Sequence, residues 1–469
     1  MSREKNLAKN TLILAIGQLS SKIFTFLLLP LYTSLLTPDD FGTIDALQTL
    51  ISLALYFVTL QIENAIFRFV IENRSNKDNQ ISYITSGVVA LGFTVGISTI
   101  LIAAINVVYA IPYILLFILS LWAQSLYLFV SNLARGLGKN IDYSIASFIV
   151  TVSSLFINVL LIVVLNAGAS SILFALVISN FIGFSYFVYR LRIWQLIKIN
   201  TVNINKIREM LQYSLPLIPN AVSWWVANTS DRLIIILFLG TTFNGIYAAA
   251  NKIPTIYTTI FAVFNTAWTE SVALAINDSD RDKYIDSMIN SSFKLFSFIN
   301  MGIIICVSIS FKWLIGAQYA EAYNHIFILL VAIFINSMCS LLGGILGGLK
   351  NTKVIGWTTI AGAIVNALIN FIFIQIIGLY AASISTLISY LIIYYFRFIS
   401  VKRIVSLKIS KLYLTQCLAM LLLIATGYYY RNIAINILIL FALIVWGTYQ
   451  NRKLLTALLN SLKIKVIYK

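Results

Sequence analysis

A chain of 469 residues that is 60% hydrophobic and 10% charged, with a mean hydropathy of +0.91, lies far from the roughly 25% charge of an ordinary soluble domain. That much apolar side chain has no place to hide in water, so the composition excludes a soluble class and predicts an all-α integral membrane protein. The net charge of +17 would suit nucleic acid, but the Lys and Arg residues sit at intervals between apolar runs and form no single basic patch with interleaved aromatics.

A membrane helix needs about 20 mostly apolar residues. Stretches of that kind recur near 11–36, 42–70, 81–108, 111–134, 144–165 and 170–190. The basic start (Arg3, Lys5, Lys9) resembles a secretory signal, yet the run from Thr11 to Leu36 is too long and has no small-residue cleavage site, so it is expected to remain as the first span. A polar segment rich in Arg, Lys and Asn follows at 191–211. Further runs lie near 212–239, 243–269, 288–311, 322–346, 355–376 and 378–397, and two more near 411–429 and 432–449 precede a basic tail. The expected count is about fourteen transmembrane helices.

The positive charges give a second view of the topology, because cytoplasmic loops retain Lys and Arg. Alternate loops are basic, from Arg68, Arg74 and Lys77 through Arg190, Arg192, Lys198, Lys206 and Arg208 to Arg397, Lys402, Arg403, Lys408 and Lys411. Only Lys312 and Arg431 fall in outer loops. Both termini are therefore expected in the cytoplasm, with no outer loop long enough to fold as a domain.

Six spans per half predict two parallel copies of a six-span unit. Leu36, Gly42 and Ala46 recur as Leu239, Gly245 and Ala249, and Lys139, Asn140, Asn158 and Gly168 as Lys350, Asn351, Asn370 and Gly378. The expected organisation is an N-terminal six-helix bundle at 1–195, a cytoplasmic linker at 196–211, a C-terminal six-helix bundle at 212–400, and two additional helices with a basic tail at 401–469. The two pseudo-symmetric bundles would enclose a central cavity as the transport site.

Three cations, Lys22, Arg232 and Lys252, fall inside spans, where a charge at the bilayer centre costs about 2.5–3.5 kcal/mol on insertion scales. Each has polar company at helical spacing: Gln18 and Thr25 with Lys22, Asn228 with Arg232, Thr255 and Thr259 with Lys252. One reading is an anion-binding cavity; the other is structural ion pairing between helices. Asp231 and Arg232 are adjacent and point about 100° apart, so each needs another partner. Asp231 and Glu63 are the acids that would take up a coupling ion. Pro216 and Pro219 allow the Arg232 span to bend.

Other signals have plainer explanations. Gly343, Gly344, Gly347 and Gly348 form small-residue patterns that suit helix packing. Thr37, Pro38, Asp39 and Asp40 read as a helix start. Cys306, Cys339 and Cys417 lie apart in apolar stretches and read as packing residues. The sequence holds one histidine, His325, and no zinc spacing, phosphate-binding glycine loop or Ser-His-Asp set, so neither a metal nor a cofactor is expected and catalysis has little to stand on.

Asp231-Arg232, Leu239-Gly240, Gly245-Ile246-Tyr247, Ala249 and Lys252-Ile253 resemble the central signature of the polysaccharide transport family, the Wzx-type oligosaccharide flippases. Gly316, Tyr319 and Ala322 look like its second recurrent pattern, and the resemblance runs over about residues 5–450. It implies membership of the multidrug/oligosaccharidyl-lipid/polysaccharide exporter superfamily, with two six-helix bundles; many members stop at twelve spans, so the last two helices are an extension. The implied activity is non-enzymatic translocation of polyprenyl pyrophosphate-linked oligosaccharide from the inner to the outer leaflet by alternating access, for O-antigen or capsule assembly. Lys22, Arg232, Lys252, Asn228 and Gln18 would bind substrate. Proton or sodium coupling is proposed for relatives. A polysaccharide polymerase and chain-length machinery are the implied partners, besides membrane lipid. The rival readings are a cation-coupled multidrug antiporter of the same superfamily, in which acids should outnumber bases in the spans, and a membrane polymerase or ligase, which would carry a large outer loop.

Overall fold

The computed structural model describes residues 28–276, 278–408, 410–452 and 456, without the side chain of Ala227. Among these residues every regular element is helical, which satisfies the backbone internally where lipid offers no hydrogen bonds. Eleven helices are long and apolar enough to cross a membrane, and the pair Ile204–Val226 and Asn228–Leu239, bent by 61°, supplies a twelfth if it counts as one span. The protein is a multi-pass membrane protein. Two expected spans make up the difference from fourteen. The first lies largely outside the described residues, which hold only α1 (Leu29–Leu35) of it. The other corresponds to a 35-residue helix, Thr241–Ala275, in which a polar stripe interrupts the apolar run.

The described chain divides into two compact units. The first runs to Ile236 and includes Gly240–Gly245. It holds α1, α2 (Pro38–Val58), α3 (Ile62–Glu72), α4 (Lys77–Val108), α5 (Ile114–Gly136), α6 (Asn140–Val159), α7 (Ser170–Leu191), α8 (Ile193–Leu196), α9 (Ile204–Ser214), most of α10 (Leu217–Leu239) and the first turn of α11 (Thr241–Ala275). Thr37 caps α2 by accepting the Asp40 amide at 3.1 Å, as its sequence predicts. The expected 42–70 span is broken: Leu60 and Gln61 both take left-handed backbone conformations, at φ 48° and 55°. That geometry is disfavoured for residues with a Cβ and interrupts the helical hydrogen-bond ladder. Gly183 lets α7 close on Val150 and Tyr127, since a Cβ there would lie 2.3 Å from Val150 Cγ2. Residues of the basic segment after α7 lie on α4, where Ser82 donates to Thr201 O at 2.7 Å and Ser86 accepts the Asn203 amide at 3.0 Å.

The second unit comprises Leu237–Leu239 and the described residues from Ile246 onward, with α12 (Arg281–Leu314), α13 (Ala322–Gly348), α14 (Thr352–Ile377), α15 (Leu379–Lys402), α16 (Lys411–Tyr430) and α17 (Ile433–Gln450). The small-residue pattern in α13 is a packing surface: a Cβ on Gly344 would meet Trp268 Nε1 at 2.9 Å, and one on Gly348 would meet Val272 at 3.1 Å. The last two helices pack on α12 through Gly447 against Phe298 and through a 2.7 Å hydrogen bond between Ser297 and Tyr413. Arg397, expected in a loop, is instead buried in α15, because that helix continues to Lys402. Its guanidinium donates to Cys339 O at 2.9 Å, Thr358 Oγ1 at 3.1 Å and Thr359 Oγ1 at 2.9 Å.

Candidate functional site

Within the first unit, α2 meets α10 and the start of α11 through a series of polar rungs. Trp225 Nε1 donates to Ser52 Oγ at 2.8 Å. One and two turns back along α2, Thr49 and Asp45 receive Arg232, whose Nη1 lies 2.8 Å from Asp45 Oδ1 and 3.4 Å from Thr49 Oγ1. Asn244 follows, donating to Gly42 O at 2.9 Å and reaching Asp45 Oδ2 at 3.4 Å. Asp39 accepts from Thr241 and, at 3.2 Å, from Thr242. Residues 42, 45, 49 and 52 share one helix face by their three- and four-residue spacing, so a single stripe of α2 makes nearly all of these contacts.

Two glycines permit this approach. A Cβ on Gly42 would lie 1.8 Å from Thr241 O, and one on Gly245 would lie 1.9 Å from Pro38 O. These are the same two glycines that stand at equivalent places in the sequence repeat, and each faces the residue four positions before the other. Backbones therefore touch where any side chain would hold them apart.

The ion pair is uneven. Asp45 is 3% exposed, whereas the Arg232 side chain is 26% exposed. Arg232 uses only Nη1; its Nε and Nη2 make no hydrogen bond among the described residues. A guanidinium left in this state has a planar pair of donors suited to a carboxylate or phosphate. Asp231, one residue earlier, is half-buried and is not the partner in the Arg232 ion pair. Asn228 is exposed and returns its amide to Trp224 O at 2.7 Å.

Glu63 lies in the first turn of α3, just past the backbone break, and is 8% exposed with Oε2 lacking any hydrogen-bond partner among the described residues. In the second unit, half-buried Lys252 opens a stripe on α11 that continues through Thr255, Thr259, Thr266 and Thr269. The four threonine hydroxyls each donate to a carbonyl of their own helix, at 2.5–3.0 Å. Such a face is wetted readily and exposes no unsatisfied donor. Gln18 and Lys22 lie outside the described residues. The same unit holds an apolar cavity of about 370 Å³ bordered by Phe293, Met301, Phe334, Leu391 and Leu418. Among the described residues, no three His, Cys, Asp or Glu side chains gather as a metal site.

Asp45, Thr49 and Asn244 are the residues that sequence reasoning missed. Asp45 carried a usable signal: an acid inside an apolar run, sharing a helix face with Thr49 and Ser52. Its nearness to the capping acids Asp39 and Asp40 hid it.

The fold resembles that of a lipid II flippase, MurJ, in an inward closed conformation, with a TM-score of 0.68 and 15% identity, covering 94% of this chain and 99% of that one. It also resembles an inward-facing multidrug resistance MATE family transporter of the MOP superfamily, with a TM-score of 0.63 and 12% identity over 83% of this chain and 98% of that one. By sequence, the chain is 25% identical over 277 residues to the Lsg locus putative protein 1 of Haemophilus influenzae, spanning 55% of this chain and 64% of that protein. The family model described as polysaccharide biosynthesis protein matches residues 7–269, more than half of the sequence, and the chain belongs to that family.

Proposed function

We propose that this protein is a flippase that moves polyprenyl pyrophosphate-linked oligosaccharide repeat units from the inner to the outer leaflet of the cytoplasmic membrane, by alternating access, for a surface polysaccharide such as O-antigen or capsule. The observation that carries the proposal is Arg232, a part-exposed arginine side chain on a membrane helix whose Nε and Nη2 make no hydrogen bond among the described residues, in a chain of the polysaccharide biosynthesis family. A pyrophosphate headgroup is anionic and heavily hydroxylated, and it loses its water on entering hydrocarbon unless protein groups replace it. Arg232, Lys252, Asn228, Lys22 and Gln18 are each assigned to substrate binding, and the threonine stripe of α11 is a face that polar cargo wets. The apolar tail keeps to lipid and to apolar surfaces of the protein. Glu63 and Asp231 are assigned to proton or sodium coupling, both termini to the cytoplasm, and the polymerase and chain-length machinery to the downstream partners.

The test is translocation of a polyprenyl pyrophosphate oligosaccharide in proteoliposomes, comparing the unaltered protein with Arg232→Ala and Lys252→Ala at matched insertion. Movement that is lost in both variants is expected. The likeness to a MATE transporter and the buried acids Asp45 and Glu63 favour, as the second reading, a cation-coupled multidrug antiporter. Export of cationic drugs with no movement of any lipid-linked sugar would put that reading in place of the first.

A further inference from the structure

We infer that Asp45 is the positioning residue of the anion site: it grips Arg232 by Nη1 and offsets its charge, so that a phosphate headgroup binds reversibly along the remaining Nε and Nη2 edge. This rests on the flippase reading and assigns a role to an acid outside the headgroup set. Three features carry it. The contact is one-sided, with Asp45 Oδ1 at 2.8 Å from Nη1 and the other two nitrogens making no hydrogen bond among the described residues. The carboxylate is sealed at 3% exposed while the arginine side chain stays 26% exposed, so of the two partners the arginine is the more accessible. Asp45 is also anchored from behind, since Asn244, itself tied to Gly42 O at 2.9 Å, reaches its second oxygen at 3.4 Å.

A side-on guanidinium edge matches two oxygens of a phosphate in parallel hydrogen bonds. A bare arginine in a low-dielectric setting would hold a pyrophosphate too tightly to release it, because charge attraction grows as the dielectric falls. A carboxylate fixed on the far nitrogen weakens that attraction and orients the free edge together. A transporter needs both effects, since cargo that does not leave is not carried.

The probe is farnesyl pyrophosphate, titrated onto the purified protein in neutral-lipid nanodiscs. Asp45→Asn keeps an oxygen for Nη1 and removes the charge, so binding is expected to tighten about tenfold while headgroup release and turnover slow. In the Arg232→Gln background the same substitution should change nothing. Asp45→Asn that leaves affinity unchanged, while Arg232→Gln weakens it, overturns the proposal and leaves the flippase reading standing; absence of any binding by the unaltered protein overturns both. A second measurement needs no variant of Asp45. With ¹⁵N-arginine labelling and Arg232→Lys for assignment, the Arg232 Nε resonance should move on adding the probe while Nη1 keeps its place. An unmoved Nε resonance overturns the proposal.

Discussion

Replacing Gly42 by alanine places a methyl group 1.8 Å from Thr241 O and 2.7 Å from Gly245 N. Ordinary contact begins near 3.4 Å, so the two backbones must part by about 1.5 Å, and backbone carbonyls cannot swing aside as a flexible side chain can. The neighbouring rung from Asn244 to Gly42 O, at 2.9 Å, then stretches beyond 4 Å and ceases to be a hydrogen bond. Overpacking of about 1–3 kcal/mol and the loss of one or two hydrogen bonds at about 1 kcal/mol each together predict a destabilisation of about 2–5 kcal/mol. Gly92→Ala is the control, because nothing lies within 4 Å of a Cβ there, and alanine in a helix interior is neutral to mildly stabilising. Thermal denaturation of the purified protein in one detergent should place Gly42→Ala roughly 2–5 °C below Gly92→Ala. Gly245→Ala, whose Cβ would lie 1.9 Å from Pro38 O, should fall with it, and the double variant should lose less than the sum, since the first methyl already opens the gap for the second. Equal midpoints for Gly42→Ala and Gly92→Ala would refute the close backbone crossing.

Trp225→Phe should lower stability by about 1 kcal/mol through loss of the 2.8 Å bond to Ser52, and adding Ser52→Ala should cost little more, as a double-mutant thermal series would register. Arg397→Lys should lower the thermal midpoint by the equivalent of roughly 2 kcal/mol, because one ammonium cannot reach the acceptors that the guanidinium spans on α13 and α14. Glu63→Gln should leave the fold intact, since a neutral amide suits a buried site better than a carboxylate that makes no ion pair among the described residues. It should also abolish any dependence of transport on an imposed proton or sodium gradient in proteoliposomes, whereas an unchanged dependence would assign coupling to another group.

Most of the helices were legible because apolar runs long enough to cross a bilayer have few other uses, and their bounds moved only by a few residues. What the sequence hid were features set by tertiary contact. The break at Thr59–Gln61 carries neither Gly nor Pro, so hydrophobicity continues across it without a visible stop. Arg397 was misplaced because a basic residue at the edge of an apolar run looks the same whether its helix ends there or continues for another turn. Arg232 stood out as a cation in a span, yet its partner Asp45 lies 187 positions away in sequence, and no periodicity on either helix joins the two. Gly42 and Gly245 were visible as equivalent positions. Equivalence says only that two copies use glycine at one place; contact between the two additionally requires that the helix starts cross there.

Most of the polar groups in these helices are kept from being a burden by local means. The threonines of α11 return their hydroxyl protons to their own helix, Asn228 does the same with its amide, Trp225 donates to Ser52, and the Asn244 amide nitrogen donates to Gly42 O on α2. Satisfied groups of this kind stabilise a fold and bind nothing strongly. Arg232 departs from the pattern, because one nitrogen is engaged and the other two make no bond among the described residues. Insertion of a lone arginine is unfavourable by about 2.5–3.5 kcal/mol, and a pairing carboxylate offsets part of that while leaving the donor edge unspent. If pairing alone were the purpose, a bidentate contact would satisfy both members better. The observed single contact therefore favours a cation that is held in place and kept partly available, the state that a reversible anion carrier requires.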